Sequence, residues 1–197
     1  MRNAKLLVLA ASAAALVTIT HAGILGERSL AATYDYAIID EEGIDDARGL
    51  SLVYRQPVAT GVDIDAGYSF LDSGVEGIDI DGHEAFATGT FYVTNQASKP
   101  YARAGLIWVE AEAGDFSEDD FGYMAEAGIE WQPNAALTLV PYVRWTDGFD
   151  DDDVADGTFS GGLLADYAFN SKWSAVARGE LDDDSDAGLS LGARFRF

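Results

Sequence analysis

Apolar side chains recur at every second position along most of this chain. In the last segment Leu189, Leu191, Ala193, Phe195 and Phe197 alternate with Gly188, Ser190, Gly192, Arg194 and Arg196. Leu30, Ala32, Tyr34, Tyr36 and Ile38 alternate in the same way with Ala31, Thr33, Asp35 and Ala37, and Val62, Ile64, Ala66, Tyr68 and Phe70 with Asp63, Asp65, Gly67 and Ser69. Trp173, Ala175, Ala177 and Leu181 alternate with Ser174, Val176, Arg178 and Glu180. A period of two is that of a strand with one apolar face, and a helical period does not produce it. Residues 84–94 and 101–109 can be read with either face outward. Pro141 sits inside the segment 137–146, where it cannot donate a ladder hydrogen bond, so a bulge or local break is expected there.

The connectors between these segments are of two kinds, in strict alternation. Residues 40–46, 72–82, 110–120, 147–156 and 180–186 hold 26 of the 34 Asp and Glu residues and no Lys or Arg. Residues 57–60, 95–98, 133–135 and 170–172 are short, free of acid, and carry the Pro, Asn and Ser of tight turns. An up-and-down barrel produces this alternation, because every second connection emerges on the same side of the membrane. Four turns and five acidic loops join ten strands with both termini on the turn side; eight strands is the alternative if one weak hairpin is misread. The predicted fold class is therefore all-β, an antiparallel up-and-down transmembrane β-barrel.

Aromatic residues fall at two levels, as the girdles of a membrane barrel should. Tyr54, Tyr92, Tyr101, Trp131, Phe169, Trp173 and Phe197 lie near the short turns, and Tyr36, Phe70, Trp108, Tyr123, Trp145 and Phe159 near the acidic loops. Their separation along a strand, at ~3.3 Å per residue and a tilt of ~40°, spans about 20 to 25 Å, the height of an apolar band.

The first 22 residues read as a secretory signal peptide: Arg2 and Lys5, an uncharged apolar run from Leu6 to Ile19, then Thr20-His21-Ala22 as a small-residue cleavage site. The run is shorter than the roughly 20 residues of a spanning helix, so cleavage after Ala22 is expected, leaving residues 23–197 as one barrel domain. The chain has no cysteine, so backbone pairing and packing must supply its stability. Net charge is −22, and −24 once the two basic residues of the leader are gone. Such a chain repels nucleic acid and leaves cations and basic surface partners as compatible ligands.

The mature chain resembles the small outer-membrane barrels of Gram-negative bacteria, the group of OmpA-type membrane domains, OmpX-like proteins and opacity adhesins. The terminal strand Gly188 to Phe197 carries the resemblance most specifically. The group ends in an alternating strand whose final aromatic is read by the barrel-assembly machinery, as Phe195-Arg196-Phe197 would be. The resemblance implies an outer-membrane location at the cell surface, lipid as the surrounding partner, and a monomer. One departure from part of that group is expected, the lack of a peptidoglycan-binding domain after Phe197.

Candidate chemistry is sparse. His83 beside Glu84, with Ser73 ten residues away, lacks the His-x-Ser pattern of a lipid-modifying hydrolase, and it is read as a loop-edge histidine. Asp150, Asp151, Asp152 and Asp153, with Asp79 and Asp81, offer hard oxygen ligands for weak divalent-cation binding, although none satisfies the EF-hand pattern. No catalytic residue and no resident cofactor is expected. Asp63, Asp65, Glu126, Glu130, Asp166 and Glu180 share the inward faces with Arg55, Arg144, Arg178, Arg194 and Arg196. Pairs are expected between Arg55 and Asp63 and between Asp166 and Arg178. A small barrel filled by such pairs points to a non-enzymatic surface protein, structural or adhesive, that acts through its acidic loops. A narrow cation-preferring, porin-like pore is the alternative, and a lipid-modifying hydrolase using His83 a third reading.

Overall fold

A computed structural model describes residues 25–39, 46–75, 78–93, 98–113, 116–149 and 157–197. Residues 1–22, expected to be a signal peptide, and Asp150 to Asp153 lie outside the described residues. The strands are β1 (Ser29–Ile38), β2 (Ala47–Ala59), β3 (Val62–Val75), β4 (Ile78–Tyr92), β5 (Ser98–Ala113), β6 (Phe116–Trp131), β7 (Leu137–Gly148), β8 (Thr158–Ala168), β9 (Trp173–Asp182) and β10 (Ala187–Arg196). Each pairs antiparallel with its neighbours in sequence, and β1 pairs with β10 from Ser29↔Arg196 to Ile38↔Ala187, which closes a ten-stranded barrel. Closure leaves no unpaired edge, the condition a sheet must meet to sit in hydrocarbon.

The period of two becomes a two-sided wall. Leu50, Leu52, Ile64, Leu106, Val143, Leu163, Leu189 and Leu191 all point outward. Aromatic residues flank this apolar band: Tyr54, Phe91, Trp131, Phe169, Trp173 and Phe197 at the turn end, and Tyr36, Phe70, Phe121, Tyr123, Trp145 and Phe159 at the acidic end. Apolar side chains turned to the outside and charges turned to the inside invert the arrangement of a soluble domain, as lipid requires.

The two ambiguous segments take one face each. In β4 the even residues Glu84, Phe86, Thr88 and Thr90 face inward; in β5 the odd residues Tyr101, Arg103 and Ile107 do. Tyr92 and Tyr101 consequently leave the expected girdle. Tyr101 is buried and donates to Glu126 at 2.8 Å, Tyr92 donates to Asp63 at 3.3 Å, and Phe91 takes the outward place. The guanidinium of Arg103 decides this parity, since the opposite choice would put it in hydrocarbon.

One proline expectation is corrected and the other, a local break at Pro141, is met. Pro57 belongs to β2 rather than to the turn, and the register shifts between Pro57 and Ala59. The turn itself is at Thr60-Gly61, where Gly61 has φ of 79°. At Pro141 the β6–β7 ladder lapses between Gly128↔Tyr142 and Trp131↔Leu139, yet the register is the same on both sides, so this is a break without a bulge. The turn chemistry at 133–135 and 170–172 is as expected. Asn134 Oδ1 accepts from the backbone N–H of Ala136 and Leu137 at 2.9 and 3.0 Å, and Asn170 Oδ1 from Lys172 and Trp173 at 2.8 and 2.9 Å.

Much of the acidic sequence at 72–82 and 110–120 is strand rather than loop. β3–β4 stays paired to Val75↔Ile78 and β5–β6 to Ala113↔Phe116, so both hairpins continue beyond the aromatic level as a β-ribbon. In the sequence Ile78 and Ile80 alternate with Asp79 and Asp81, a period that a reading by acidic composition passes over.

Candidate functional site

The barrel interior is crowded with charge. Asp35, Asp63, Asp65, Glu84, Glu126, Glu130, Asp166, Glu180 and Asp186, with the guanidiniums of Arg55, Arg103, Arg144, Arg178, Arg194 and Arg196, are each at most 7% exposed. A water-filled channel would leave such groups wet. Here most of them pair with one another and crowd the lumen, as in other narrow barrels.

Glu126 is the hub of one wall. Its carboxylate takes Arg103 Nη1 at 3.1 Å, Arg144 Nη2 at 2.6 Å and the Tyr101 hydroxyl at 2.8 Å. Arg103 continues to Asp65 at 3.5 Å, and Asp65 accepts a two-pronged contact from Arg55, at 2.6 Å from Nε and 3.1 Å from Nη2. The expected Arg55–Asp63 pair is therefore only a 3.9 Å contact, because the chain reverses at Thr60-Gly61 and Asp65, not Asp63, stands opposite Arg55. On the other wall Asp166 receives Arg194 at 2.7 Å, Arg196 at 2.8 Å and Ser174 Oγ at 3.0 Å. Arg178 pairs with Glu180 and donates to the Tyr142 hydroxyl instead of reaching Asp166, although the two are diagonal in the β8–β9 ladder. Tyr142 in turn donates to Glu180 at 2.9 Å, and Arg144 stacks on its ring with 5.3 Å to the centroid.

The turn end is closed by the segment that precedes β1. Leu25 is buried with Tyr101, Val140, Tyr142, Leu164 and Val176. Its N–H donates to Glu130 at 2.6 Å, its carbonyl accepts from Lys99 at 3.2 Å, and the Gly26 N–H donates to Asp63 at 2.9 Å. Lys99 also meets Glu130 at 2.9 Å, and Glu27 meets Arg196 at 3.0 Å. Partial burial raises the Glu27 carboxyl above its ordinary range, with Arg196 opposing the rise. Glu130 and Asp63, whose inward position the sequence predicted, thus hold backbone as well as side chains.

The acidic end has a different design. Aromatic side chains of the girdle donate to carboxylates set above them: Tyr36 to Asp46, Tyr123 to Asp147 at 2.7 Å, and Trp108 to Asp119 at 3.3 Å. On the outward face of the ribbon Asp72, Asp81 and Glu112 are successive ladder partners across β3, β4 and β5, and Glu110 is the partner of Asp119. Like charges directly opposite in a ladder destabilise it unless cations intervene. Asp79 lies in β4 two positions before Asp81.

His83 is on the outer face of β4 rather than at a loop edge. Its Nδ1 is 2.6 Å from the Tyr68 hydroxyl, and its ring centre is 5.3 Å from that of Phe70. The structure gives it neither a serine nor a carboxylate as hydrogen-bond partner among the described residues. Sequence reasoning missed Arg103, Lys99 and Glu84 as lumenal charges, because all three lie in the segments of ambiguous face or beside them.

No family model matches the chain, and no curated protein does. Among solved structures, the translocator domain of the autotransporter NalP from Neisseria meningitidis is similar at 12% identity. That match covers 100% of this chain and 97% of that one, with a TM-score of 0.53. The NanC porin is similar at 8% identity over 85% of this chain and 100% of that one, with a TM-score of 0.55. At these identities the likeness shows the fold, a closed β-barrel of the outer-membrane type.

Proposed function

We propose that this protein is a closed outer-membrane barrel whose work is done by its acidic end. There it binds divalent cations and, through them, the phosphates of lipopolysaccharide or other anionic surfaces. The leader is removed after Ala22, the turn end faces the periplasm and the acidic end faces outside. The observation that carries the reading is the row Asp72, Asp81 and Glu112, three carboxylates side by side on the outward face just above the aromatic girdle. That is the level of the headgroups, where like-charged carboxylates and phosphates repel unless a cation bridges them. Asp79 and the run Asp150 to Asp153 are further hard oxygen ligands in the acidic segments of the sequence. The charge-filled lumen and the Leu25 strap support a closed barrel over a porin.

The test uses the refolded protein in phosphatidylcholine vesicles mixed with vesicles containing lipopolysaccharide. Association that requires millimolar Ca²⁺, reverses with EDTA and weakens in an Asp72→Asn, Asp81→Asn, Glu112→Gln triple variant is the expected result. Association indifferent to both Ca²⁺ and the triple substitution would overturn the proposal. A narrow cation-preferring pore remains the alternative. It draws on the excess of buried carboxylates over buried guanidiniums, which would favour cations in any path that opened.

A further inference from the structure

The lumenal ion pairs do not account for every buried charge. Glu84 faces inward from β4 at 1% exposure, and among the described residues neither of its carboxylate oxygens has a hydrogen-bond partner. Directly opposite in the ladder is Ser69, fully buried, whose Oγ also has none. One strand further, Ser51 is the ladder partner of Ser69, and its hydroxyl is given to Asp35. Asp35, 1% exposed, is held by the Ser51 and Thr33 hydroxyls, and among the described residues no cation is within ion-pair distance of it or of Glu84. β1 to β4 thus line one side of the lumen, towards the acidic end, with neighbouring oxygens, spaced by strand separations of about 4.8 Å.

The guanidiniums that act electrostatically on Glu84 are those of Arg144 and Arg178. Both are committed elsewhere, Arg144 to Glu126 and Glu180, Arg178 to Glu180 and Tyr142. An ionised carboxylate without partners in a dry interior costs several kcal/mol, and a fold retains one where something supplies the missing contacts. The donor set here is carboxylate and hydroxyl oxygen only, with neither sulfur nor imidazole, which suits a hard cation and not a transition metal.

We propose that the lumen contains a built-in site for a hard inorganic cation, Na⁺ or Ca²⁺, ligated by Glu84 and Ser69 with Asp35 supplying the second negative charge. This site is separate from the outward carboxylates of the rim. A cation there supplies the charge that the six buried arginines leave unmatched, and it ties β1–β4 together where the ion-pair network does not reach.

The experiment measures the midpoint of unfolding of the refolded full-length mature protein in zwitterionic detergent. Choline chloride with EDTA is compared with NaCl and with CaCl₂ at equal ionic strength. A ligand that binds only the folded state raises the midpoint. The expected result is a rise in one of the two salts for the wild type that Glu84→Gln and Ser69→Ala each reduce, any CaCl₂ rise left in Glu84→Gln belonging to the rim. The rise should persist in the Asp72→Asn, Asp81→Asn, Glu112→Gln rim variant. In choline, Glu84→Gln should be at least as stable as the wild type, since it loses an unpartnered charge, so the variant is expected to fold. A rise that survives Glu84→Gln and vanishes in the rim variant would overturn the lumenal site while leaving the rim proposal standing. No rise in either salt would also overturn it, and Glu84 would then be held neutral by a proton.

Discussion

Glu126→Gln removes the charge on which the wall of β5, β6 and β7 converges. The carboxylate takes Arg103 at 3.1 Å and Arg144 at 2.6 Å, all three side chains at most 2% exposed, and accepts the Tyr101 hydroxyl as well. Glutamine keeps the shape and one acceptor, so Tyr101 need not lose its bond. Two guanidiniums nevertheless lose their nearest negative charge in an interior where water cannot replace it. Breaking a buried ion pair from one side costs about 3 to 5 kcal/mol, and the retained acceptor puts this variant near the lower figure, on the order of a 100-fold change in the folded-to-unfolded ratio. The assay is urea-induced unfolding in lipid vesicles, followed by tryptophan fluorescence, with Glu112→Gln as the exposed control. That control should move stability by no more than about 0.5 kcal/mol. If Glu126→Gln and Glu112→Gln shifted the midpoint equally, the lumenal network would not be holding the barrel as described.

Three further outcomes follow from other parts of the wall. Leu191, 65% exposed near the middle of β10, faces the apolar band, and Leu191→Arg should cost about 2 to 4 kcal/mol of folding stability in vesicles; a neutral result would place that face in water. At the β1–β10 seam a Cβ on Gly192 would stand 2.0 Å from the Ala32 carbonyl oxygen and 2.7 Å from Thr33 Cα. Gly192→Val should therefore lower the yield of heat-modifiable, closed barrel on a detergent gel, and undiminished closure would contradict the seam. Deleting Phe197, whose N–H donates to the Arg28 carbonyl at 3.1 Å and whose ring meets Tyr54 and Phe195, should slow insertion into outer-membrane lipid; an unchanged insertion rate would make the terminal aromatic incidental.

How far the sequence could be read depends on what each residue signals about its face. Strands such as β10 and β1, where apolar and small or charged residues alternate without exception, announce both their existence and their inside. In β4 and β5, alanine, glycine and threonine occupy both faces, so only the closed barrel shows that Arg103 and Glu84 look inward. The inward charges were visible individually, yet their partners were not, because moving the turn from 57–60 to Thr60-Gly61 moves Arg55 from Asp63 to Asp65. Contacts across the lumen, such as Arg196 with Asp166 and Arg178 with Tyr142, depend on how a tilted barrel brings non-neighbouring strands together. Ladder spacing cannot predict them. The extension of the acidic hairpins as paired ribbon was hidden for a further reason: acid-rich stretches signal loops, and only their sparse isoleucine, valine and phenylalanine residues keep the strand period.

A closed lumen is the claim on which the rest stands, and single-channel recording tests it most directly. The refolded mature protein in a planar bilayer should show no discrete conductance steps at neutral pH. Substituting Lys99→Met and Glu130→Gln to release the Leu25 strap should leave the lumen blocked by the Glu126 and Asp166 networks behind it. Stable, cation-selective openings of the unaltered protein would contradict the account and assign it to the pores instead.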